Sequence, residues 1–377
     1  MELSCSIIRG GTSKGIFVQD GDLAKDPAVR KRQILQLFGS PHSRQIDGLG
    51  GADPLTSKLA LVCPSSRPGI NVEYESIEVG ISEGTLNNSI MCGNLAAGVG
   101  YFAIMEGMVD PVSPETSIVI YSRNNGKTII ASIPSAHGNP DLHGSYTIHG
   151  VPGSGPEVRL NFIDPAGAVT GRLLPMDEPL SVITLSNGQR LSYSLVDSGT
   201  LYAFFLAEEL GITGHETPAE LDCNMTFKAC SEAARERVVE AFNEKMRDQP
   251  RIDSGSGLLN KKDLKIAVLA APDVQDTEAD IVAKVINPFN VHKAFAVSGA
   301  ICLATATVIP ETIAHNFCPS GPSPARIRIR HPSGTMCTTV DFEQKPKEIR
   351  ISSAEVSRTA RILMRGTAFI PDPSEYS

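Results

Sequence analysis

Residues 91–105 read MCGNLAAGVGYFAIM, and residues 297–309 read VSGAICLATATVI. Each stretch has a small polar or thiol residue, then a glycine, then a run that is apolar on nearly every side of a helix. A helix that is apolar all round has to be buried, here by a sheet of its own domain. The two starts, Cys92 and Ser298, are 206 residues apart (298 minus 92), about half the chain. The pair predicts two similar domains, each a curved sheet around a central apolar helix, with the helix ends facing a shared interdomain cleft.

The length and composition agree with this division. A chain of 377 residues exceeds the usual size of a single hydrophobic core, which favours two domains. The 33 glycines and 26 prolines are typical of a fold rich in turns and strands. Short strand patterns outnumber helices and show no regular βαβ alternation, which predicts an α+β fold with mostly antiparallel sheets. We assign residues 1–183, with a C-terminal strand at 361–377, to the first domain and residues 184–360 to the second.

The charge and the cysteine pattern exclude several classes of function. A net charge of −8 argues against a nucleic-acid partner. No apolar run is long enough for a membrane span, and the first residues do not resemble a secretory signal. The eight cysteines include no C-x-x-C pair, so we expect no metal site and a reducing, cytoplasmic compartment. An exposed sheet edge could pair two chains into a homodimer.

The two helix starts are the strongest candidates for a functional site. A helix N-terminus presents unpaired N–H groups and a partial positive charge, which can hold a carboxylate. An acidic protein could in this way bind an acidic substrate without a basic pocket. The same position would stabilise the thiolate of Cys92 and make it a proton carrier. The alternative is that Cys92 is a buried small hydrophobic residue, as free cysteines often are.

Short motifs in a fixed order carry a resemblance to a known family. They are RGGTSKG at 9–15, DGLGG at 47–51, PLTSK at 54–58, CGN at 92–94, VDSG at 196–199, HKAFAVSGAICLA at 292–304, HPSG at 331–334 and RTARILMRGTAFIP at 358–371. As an ordered set they resemble the PrpF-type 2-methylaconitate cis-trans isomerase family, which shares the fold of diaminopimelate epimerase.

The resemblance implies a two-domain fold of the epimerase type with its ligand in the cleft between the domains. It also implies 1,3-proton transfer on a small unsaturated di- or tricarboxylate, such as aconitate, methylaconitate or oxalomesaconate, without metal or organic cofactor. By position, Lys58 and Cys92 match the acid–base lysine and the first epimerase cysteine. The residues expected to bind the substrate are Ser13, Lys14, Ser57, Gly93, Asn94, His292, Ser298, Gly299 and Ala300.

The chemistry of these residues favours a double-bond isomerase over an epimerase. Ser298 stands where epimerases have their second cysteine, and a hydroxyl is too weak an acid to replace a thiol in a two-base inversion. Removal of an allylic proton needs only one base, because the resulting dienolate is delocalised. Lys58 could be that base if burial or nearby cations depress its pKa, and the same group or Cys92 would return the proton. Lys14 could instead be solvated, and His292 could be structural.

Some positions depart from the family pattern and leave the substrate open. Met91 replaces a usual asparagine, Thr200-Leu201 replaces an asparagine–proline pair, and Tyr101 replaces a frequent proline. Two other functions stay open from the sequence. One is an amino-acid epimerase or racemase on the same fold, and the other is a non-catalytic polycarboxylate-binding protein.

Overall fold

A computed structural model describes residues 1–89, 91–247, 258–288, 290–318, 321–345 and 348–371. The chain forms two compact units: unit 1 is Met1–Asn161 with Ser357–Ser377, and unit 2 is Phe162–Val356. Residues 162–183 group with unit 2, whereas the sequence placed them in the first domain. Hydrogen bonds explain this, since the Asp164 amide donates to the Ser352 carbonyl and the Gly167 amide donates to the Asp197 carbonyl. The division of the chain into two domains stays a prediction.

The secondary structure consists mainly of strands. The helices are α1 (Pro27–Phe38), α2 (Gly93–Met105), α3 (Pro218–Cys223), α4 (Met225–Arg247), α5 (Val297–Val308) and α6 (Ile313–Phe317). The strands are β1 (Glu2–Gly10), β2 (Ser13–Gln19), β3 (Lys58–Pro64), β4 (Val72–Val79), β5 (Leu86–Asn87), β6 (Glu115–Ser122), β7 (Thr128–Ala136), β8 (Asn139–Pro140), β9 (Val158–Ile163), β10 (Ser181–Thr184), β11 (Arg190–Asp197), β12 (Leu201–Leu206), β13 (Lys265–Ala270), β14 (Ile281–Ile286), β15 (Ala325–His331), β16 (Gly334–Lys345), β17 (Glu348–Arg358) and β18 (Ala360–Phe369).

In unit 1 the strands pair in an alternating pattern. Strand β1 pairs antiparallel with both β2 and β18. Strand β2 then pairs parallel with β3, β3 antiparallel with β4, β4 parallel with β6, and β6 antiparallel with β7. Antiparallel hairpins are therefore joined by parallel pairs, and the sheet is mostly antiparallel.

Unit 2 repeats this pattern. Strand β11 pairs antiparallel with β10 and β12, β12 parallel with β13, and β13 antiparallel with β14. Strand β14 pairs parallel with β15, and β15 antiparallel with β16. The central helix also has the same place in both units, since α2 precedes β6 and α5 precedes β15. The predicted similarity of the two halves is confirmed at the level of topology.

The two apolar helices lie inside their own units, as predicted. Every residue of α2 from Gly93 to Ile104 is buried, and so is every residue of α5. Glycines in α2 allow close packing: a Cβ on Gly98 would lie 2.7 Å from the Phe17 ring, and a Cβ on Gly100 would lie 2.6 Å from Ile133. Helix and sheet thus approach closely at the middle of α2.

The sequence also predicts a helix that Asp26-Pro27 opens and Gly39 ends, and an amphipathic helix at about 225–247, and both are confirmed. The Asp26 side chain accepts hydrogen bonds from the amides of Ala28 and Val29, and Gly39 ends α1 with φ of 69°. Helix α4 covers the predicted range 225–247. The start of α5 differs from expectation: Ala296 is its N-cap, so Ser298 lies in the first turn, whereas Cys92 itself caps α2. Val297 is apolar and is buried with the rest of α5. The helix therefore begins one residue before Ser298. Within the described ranges, no helix combines the length and apolarity that a membrane crossing requires.

Candidate active site

Lys58 is the first residue of β3 and lies between two neighbouring strands. It is opposite Gly15 in the parallel pair with β2 and opposite Glu78 in the antiparallel pair with β4. Its Nζ is 3.3 Å from Oε2 of Glu78. The lysine side chain is 12% exposed and the glutamate side chain 48%, so the pair joins a largely buried cation to a carboxylate at the surface.

The pKa of Lys58 is raised, not depressed. Burial lowers it, but the negative charges of Cys92, Glu78 and Asp53 together more than offset burial. The condition under which Lys58 could act as a neutral base, a pKa depressed by burial or nearby cations, is therefore not met, because the charged groups around it are acidic. Lys58 is an ammonium group at neutral pH, and it lies within electrostatic range of Cys92.

Cys92 is held at the start of α2 by both of its backbone polar groups. Its amide donates to Oγ of Ser76 at 2.8 Å. Its carbonyl accepts the Tyr74 hydroxyl at 3.0 Å and the Ala96 amide at 3.2 Å. Burial and the negative charge of Cys92 raise the pKa of Tyr74 well above its ordinary range, so its hydroxyl stays a neutral donor.

The sequence analysis missed Tyr74, Ser76 and Glu78. A signal for them exists, because the sequence predicts a strand at 71–79 and these residues occupy every second position of it, so they share one face of β4. That face lies next to both predicted catalytic residues.

The turn between β1 and β2 packs against the first residues of α2. The Asn94 side chain accepts from the Thr12 amide at 3.4 Å and donates to the Thr12 hydroxyl at 3.2 Å. A Cβ on Gly10 would lie 2.4 Å from the Asn94 carbonyl oxygen, and one on Gly11 would lie 2.0 Å from Asn94 Oδ1. Gly10 and Gly11 of the RGGTSKG motif therefore allow the β1–β2 turn to contact the first turn of α2. The side chain of Asn94 makes the hydrogen bonds of that contact.

The other predicted residues of unit 1 lie beside Lys58 but differ in what they touch. Ser57 is fully buried, and its hydroxyl donates to Oε1 of Gln45 at 2.6 Å. This hydrogen bond stabilises the loop that precedes β3. Ser13 is also buried, and its hydroxyl has no hydrogen-bond partner in the part of the chain that the structure describes. The backbone amide of Lys14 donates to the Leu55 carbonyl, which connects β2 to the same loop.

In unit 2, Ser298, Gly299 and Ala300 form the first turn of α5. Ser298 is 6% exposed. A Cβ on Gly299 would lie 2.6 Å from the Tyr202 hydroxyl, so this glycine is required by packing inside the unit. The His292 Nδ1 accepts the Ala294 amide at 3.0 Å, a local contact that favours the structural interpretation of His292.

A pocket of about 460 Å³ opens elsewhere in unit 1 and contains none of the predicted site residues. Its lining consists of Pro134, His143, Gly144, Ser145, Tyr146, Thr147, Pro156 and Glu157. Among the residues with described positions, no group of three or more His, Cys, Asp or Glu side chains is arranged to hold a metal ion.

Comparison with known proteins shows which family has this arrangement. The model of the PrpF protein family matches residues 1–371. The chain belongs to the PrpF family. It is 37% identical over 368 residues to the (4E)-oxalomesaconate Delta-isomerase of Novosphingobium sp. (strain KA1), with 97% of each chain covered.

Two further relatives also match the PrpF-family chain over nearly its whole length. The 3-methylitaconate isomerase of Eubacterium barkeri is 33% identical over 379 residues, covering 98% of this chain and 97% of the relative. The 2-methyl-aconitate isomerase of Shewanella oneidensis is 30% identical over 395 residues, covering 99% and 98%. All three relatives are isomerases, and this PrpF-family chain is an isomerase.

Solved structures confirm the predicted α+β fold of the epimerase type. A crystal structure of methylitaconate-delta-isomerase superposes with a TM-score of 0.77 at 33% identity, covering 98% of this chain and 96% of the other. A hydroxyproline epimerase from Agrobacterium vitis superposes with a TM-score of 0.56 at 13% identity, covering 99% and 94%. The second likeness shows that the PrpF-family chain shares the epimerase fold.

Proposed function

We propose that this isomerase moves a proton across an allyl system of a small unsaturated di- or tricarboxylate, with Lys58 and Cys92 as its acid–base residues. The relatives support the substrate class, since their names specify methylitaconate, oxalomesaconate and methylaconitate isomerases. One observation carries the assignment of residues. Lys58 and Cys92 interact electrostatically at the start of a buried helix, inside unit 1.

The charges in unit 1 favour Cys92 as the group that takes the first proton. A lysine with a raised pKa is a poor base but a good partner for a thiolate. In the first step the thiolate removes the allylic proton: the C–H bond breaks, an S–H bond forms, and the electron pair enters a dienolate delocalised onto a substrate carboxylate. The Lys58 ammonium and the first N–H groups of α2 stabilise that charge.

In the second step the thiol returns the proton to the far carbon of the allyl system. The S–H bond breaks, a new C–H bond forms, and the double bond ends one position away. All electrons stay within the substrate, so the proposal needs no cofactor. The outcome is a positional isomer. A cis-trans isomer forms instead if the dienolate rotates and the proton returns to the carbon that it left.

Binding of the substrate carboxylates relies on short-range donors. The buried Ser13 hydroxyl, which has no hydrogen-bond partner among the described residues, supports its predicted substrate contact, because an unsatisfied buried hydroxyl is costly. Lys14, Gly93, His292 and the residues Ser298, Gly299 and Ala300 stay predicted substrate contacts. Asn94 and Ser57 are assigned to positioning, because their side chains bond within unit 1.

The cellular setting belongs to the same proposal. All eight cysteines are free thiols, which supports a reducing, cytoplasmic compartment. A homodimer stays a prediction, which sedimentation analysis would test.

Proton NMR in D₂O tests the reaction. The panel holds cis- and trans-aconitate, 2-methylaconitate, itaconate-type acids and oxalomesaconate, each with wild type, Lys58→Ala and Cys92→Ala. We expect deuterium at an allylic carbon and a moved double bond with wild type, and neither with the variants. Thermal stabilisation by one acid without any deuterium exchange would favour the non-catalytic binding protein instead.

A charge-conserving variant separates the two roles of Lys58. Arginine keeps the positive charge but cannot lose its proton near neutral pH. If Lys58 acts as a cation, Lys58→Arg should retain at least about 1% of wild-type turnover while Lys58→Met loses about a thousandfold or more. Equal loss in both variants, each with a wild-type melting curve, would return the role of base to Lys58.

A further inference from the structure

We propose that Tyr74, Ser76 and Glu78 form a positioning set that holds both acid–base residues from one face of β4. The three side chains alternate along the strand, so all three point to the same side. Tyr74 and Ser76 bond the Cys92 backbone, and Glu78 bonds Lys58. The inference rests on the proposed function for the roles of Cys92 and Lys58, but its main test does not.

The contacts to Cys92 fix the residue that begins α2. Cys92 has extended backbone angles, φ of −90° and ψ of 97°, and its own side chain makes no capping hydrogen bond to α2. Its orientation therefore depends on its amide bond to Ser76 at 2.8 Å and on the Tyr74 hydroxyl bond to its carbonyl at 3.0 Å. Both bonds are buried from solvent on the strand side, since Tyr74 is 0% and Ser76 3% exposed.

Ser76 is itself held on both sides of its backbone. Its amide donates to Asn124 Oδ1 at 2.9 Å, and Asn124 Nδ2 donates to the Ser76 carbonyl at 2.9 Å. A side-chain hydrogen bond with Ser76 lowers the pKa of Tyr74, but burial and Cys92 raise it more. A rigid polar support on β4 therefore carries the contacts to Cys92.

Glu78 completes the set at the open end of this face. Its carboxylate pairs with Lys58 at 3.3 Å and is one of the charges that raise the pKa of Lys58. It favours the charged form of the lysine and holds its ammonium group against β4.

The first test compares two tyrosines that make the same kind of bond. Tyr74→Phe removes the hydroxyl bond to Cys92, and Tyr101→Phe removes an equally buried hydroxyl bond, 2.8 Å long, to the Asp141 carbonyl. Ser76→Ala removes the acceptor for the Cys92 amide, and Ser76→Thr keeps a hydroxyl there. All variants are compared with wild type in melting temperature before any other measurement.

The readout is the rate at which iodoacetamide alkylates Cys92, measured by peptide mass spectrometry relative to the exposed Cys223 in the same chain. Loss of either backbone bond lets the thiolate leave the helix start, so Tyr74→Phe and Ser76→Ala should slow alkylation near neutral pH by about fivefold. Tyr101→Phe and Ser76→Thr should match wild type. Unchanged or faster alkylation in Tyr74→Phe and Ser76→Ala would overturn the proposal.

The second test concerns Glu78→Gln and measures Lys58 directly. Acetic anhydride reacts only with the neutral amine, and the exposed Lys25 serves as the internal reference. Removal of the carboxylate should lower the pKa of Lys58 and speed its acetylation at least about threefold. Equal rates in wild type and variant would remove Glu78 from the set. Neither test requires turnover. If no acid in the substrate panel reacts, the proposed function is refuted, and the two tests above still decide whether the positioning set exists.

Discussion

The environment of Lys58 shows why a single residue is hard to interpret from its sequence neighbours. The adjacent residues, Ser57 and Leu59, say nothing about its charge state. The groups that raise its pKa are Cys92, Glu78 and Asp53, and only strand pairing and the start of α2 bring the first two next to it. The family resemblance pointed to Lys58 and Cys92, and their roles stay a proposal, but the direction of the pKa shift of Lys58 could come only from the structure.

Gly11 is the residue at which a small change should do most damage to the site. It has φ of 52°, and a Cβ would lie 2.0 Å from Asn94 Oδ1. Gly11→Ala should cost roughly 1–2 kcal/mol for the backbone angle alone, and more for the clash. We expect lower stability in urea unfolding and a fall in kcat, because the first turn of α2 has to move.

Gly21→Ala is the matched control for that variant. Gly21 is exposed, and a Cβ there would meet nothing within 4 Å. The control should unfold at the wild-type urea concentration and keep wild-type turnover. If Gly11→Ala behaved like the control, the close contact between the turn and α2 would have no importance for activity.

Among the elements, those with strong local signals were predicted well and those defined by pairing were not. The Asp26 cap and Gly39 gave both ends of α1, and helical periodicity gave α4. The parallel pairs of β2 with β3 and β12 with β13 were not foreseen, because each joins strands separated by a long connection. Strand β4 was predicted, but its polar face was not recognised as part of the site.

Asp20 connects three elements and should make stability depend on pH. It pairs with Arg30 in α1, and its Oδ2 accepts from Nη1 of Arg123, after β6, at 3.0 Å. Burial raises the pKa of Asp20, but the two guanidinium groups more than offset burial, so the pKa lies below its ordinary range. A depressed carboxyl pKa stabilises the fold above the unfolded-state value, and that contribution is lost as pH falls through the folded-state pKa.

Asp20→Asn should therefore destabilise the protein by about 1 kcal/mol near neutral pH and by much less near pH 2 to 3. Urea unfolding across that range measures the difference. Glu115→Gln is the control, because Glu115 and Arg159 form an exposed pair, with side chains 39% and 45% exposed. Exposed pairs contribute little, so this variant should match wild type. A constant difference for Asp20→Asn at all pH values would refute the ionic explanation.

At the scale of the whole molecule, the repeated topology is visible in the sequence only through its two apolar helices. Lys58 and Lys265 occupy equivalent positions in the two units. Each is the first residue of a strand that pairs parallel with the preceding strand of its unit. Their neighbours differ, since Lys58 lies opposite Gly15 and Lys265 opposite the buried Tyr202, whose hydroxyl reaches Gly299. This difference, together with Ser298 in place of a second cysteine, fits one acid–base set per chain.

The overall charge gives a prediction about salt. A chain of net charge −8 repels an anionic substrate at long range, whereas Lys58 acts at contact distance. Salt screens the first effect more than the second, so kcat/KM should rise by up to about twofold between about 20 and about 200 mM NaCl. The measurement is kcat/KM for the preferred acid at both salt concentrations. An assay that salt does not affect serves as the reference. A severalfold fall would mean that long-range attraction captures the substrate.

The pairing of β1 with β18 has a consequence for biosynthesis. Strand β1 lies between β2 and β18 in unit 1, and its partners in β18 follow it by more than three hundred residues. Domains usually fold from the N-terminal end as the ribosome delivers them. Here the nascent chain carries Lys58 and Cys92 early but cannot finish the sheet around them until residues 360–369 have been translated. A ribosome that stalls just before residue 360 would release a chain that has all the strands of unit 2 but lacks the last strand of unit 1.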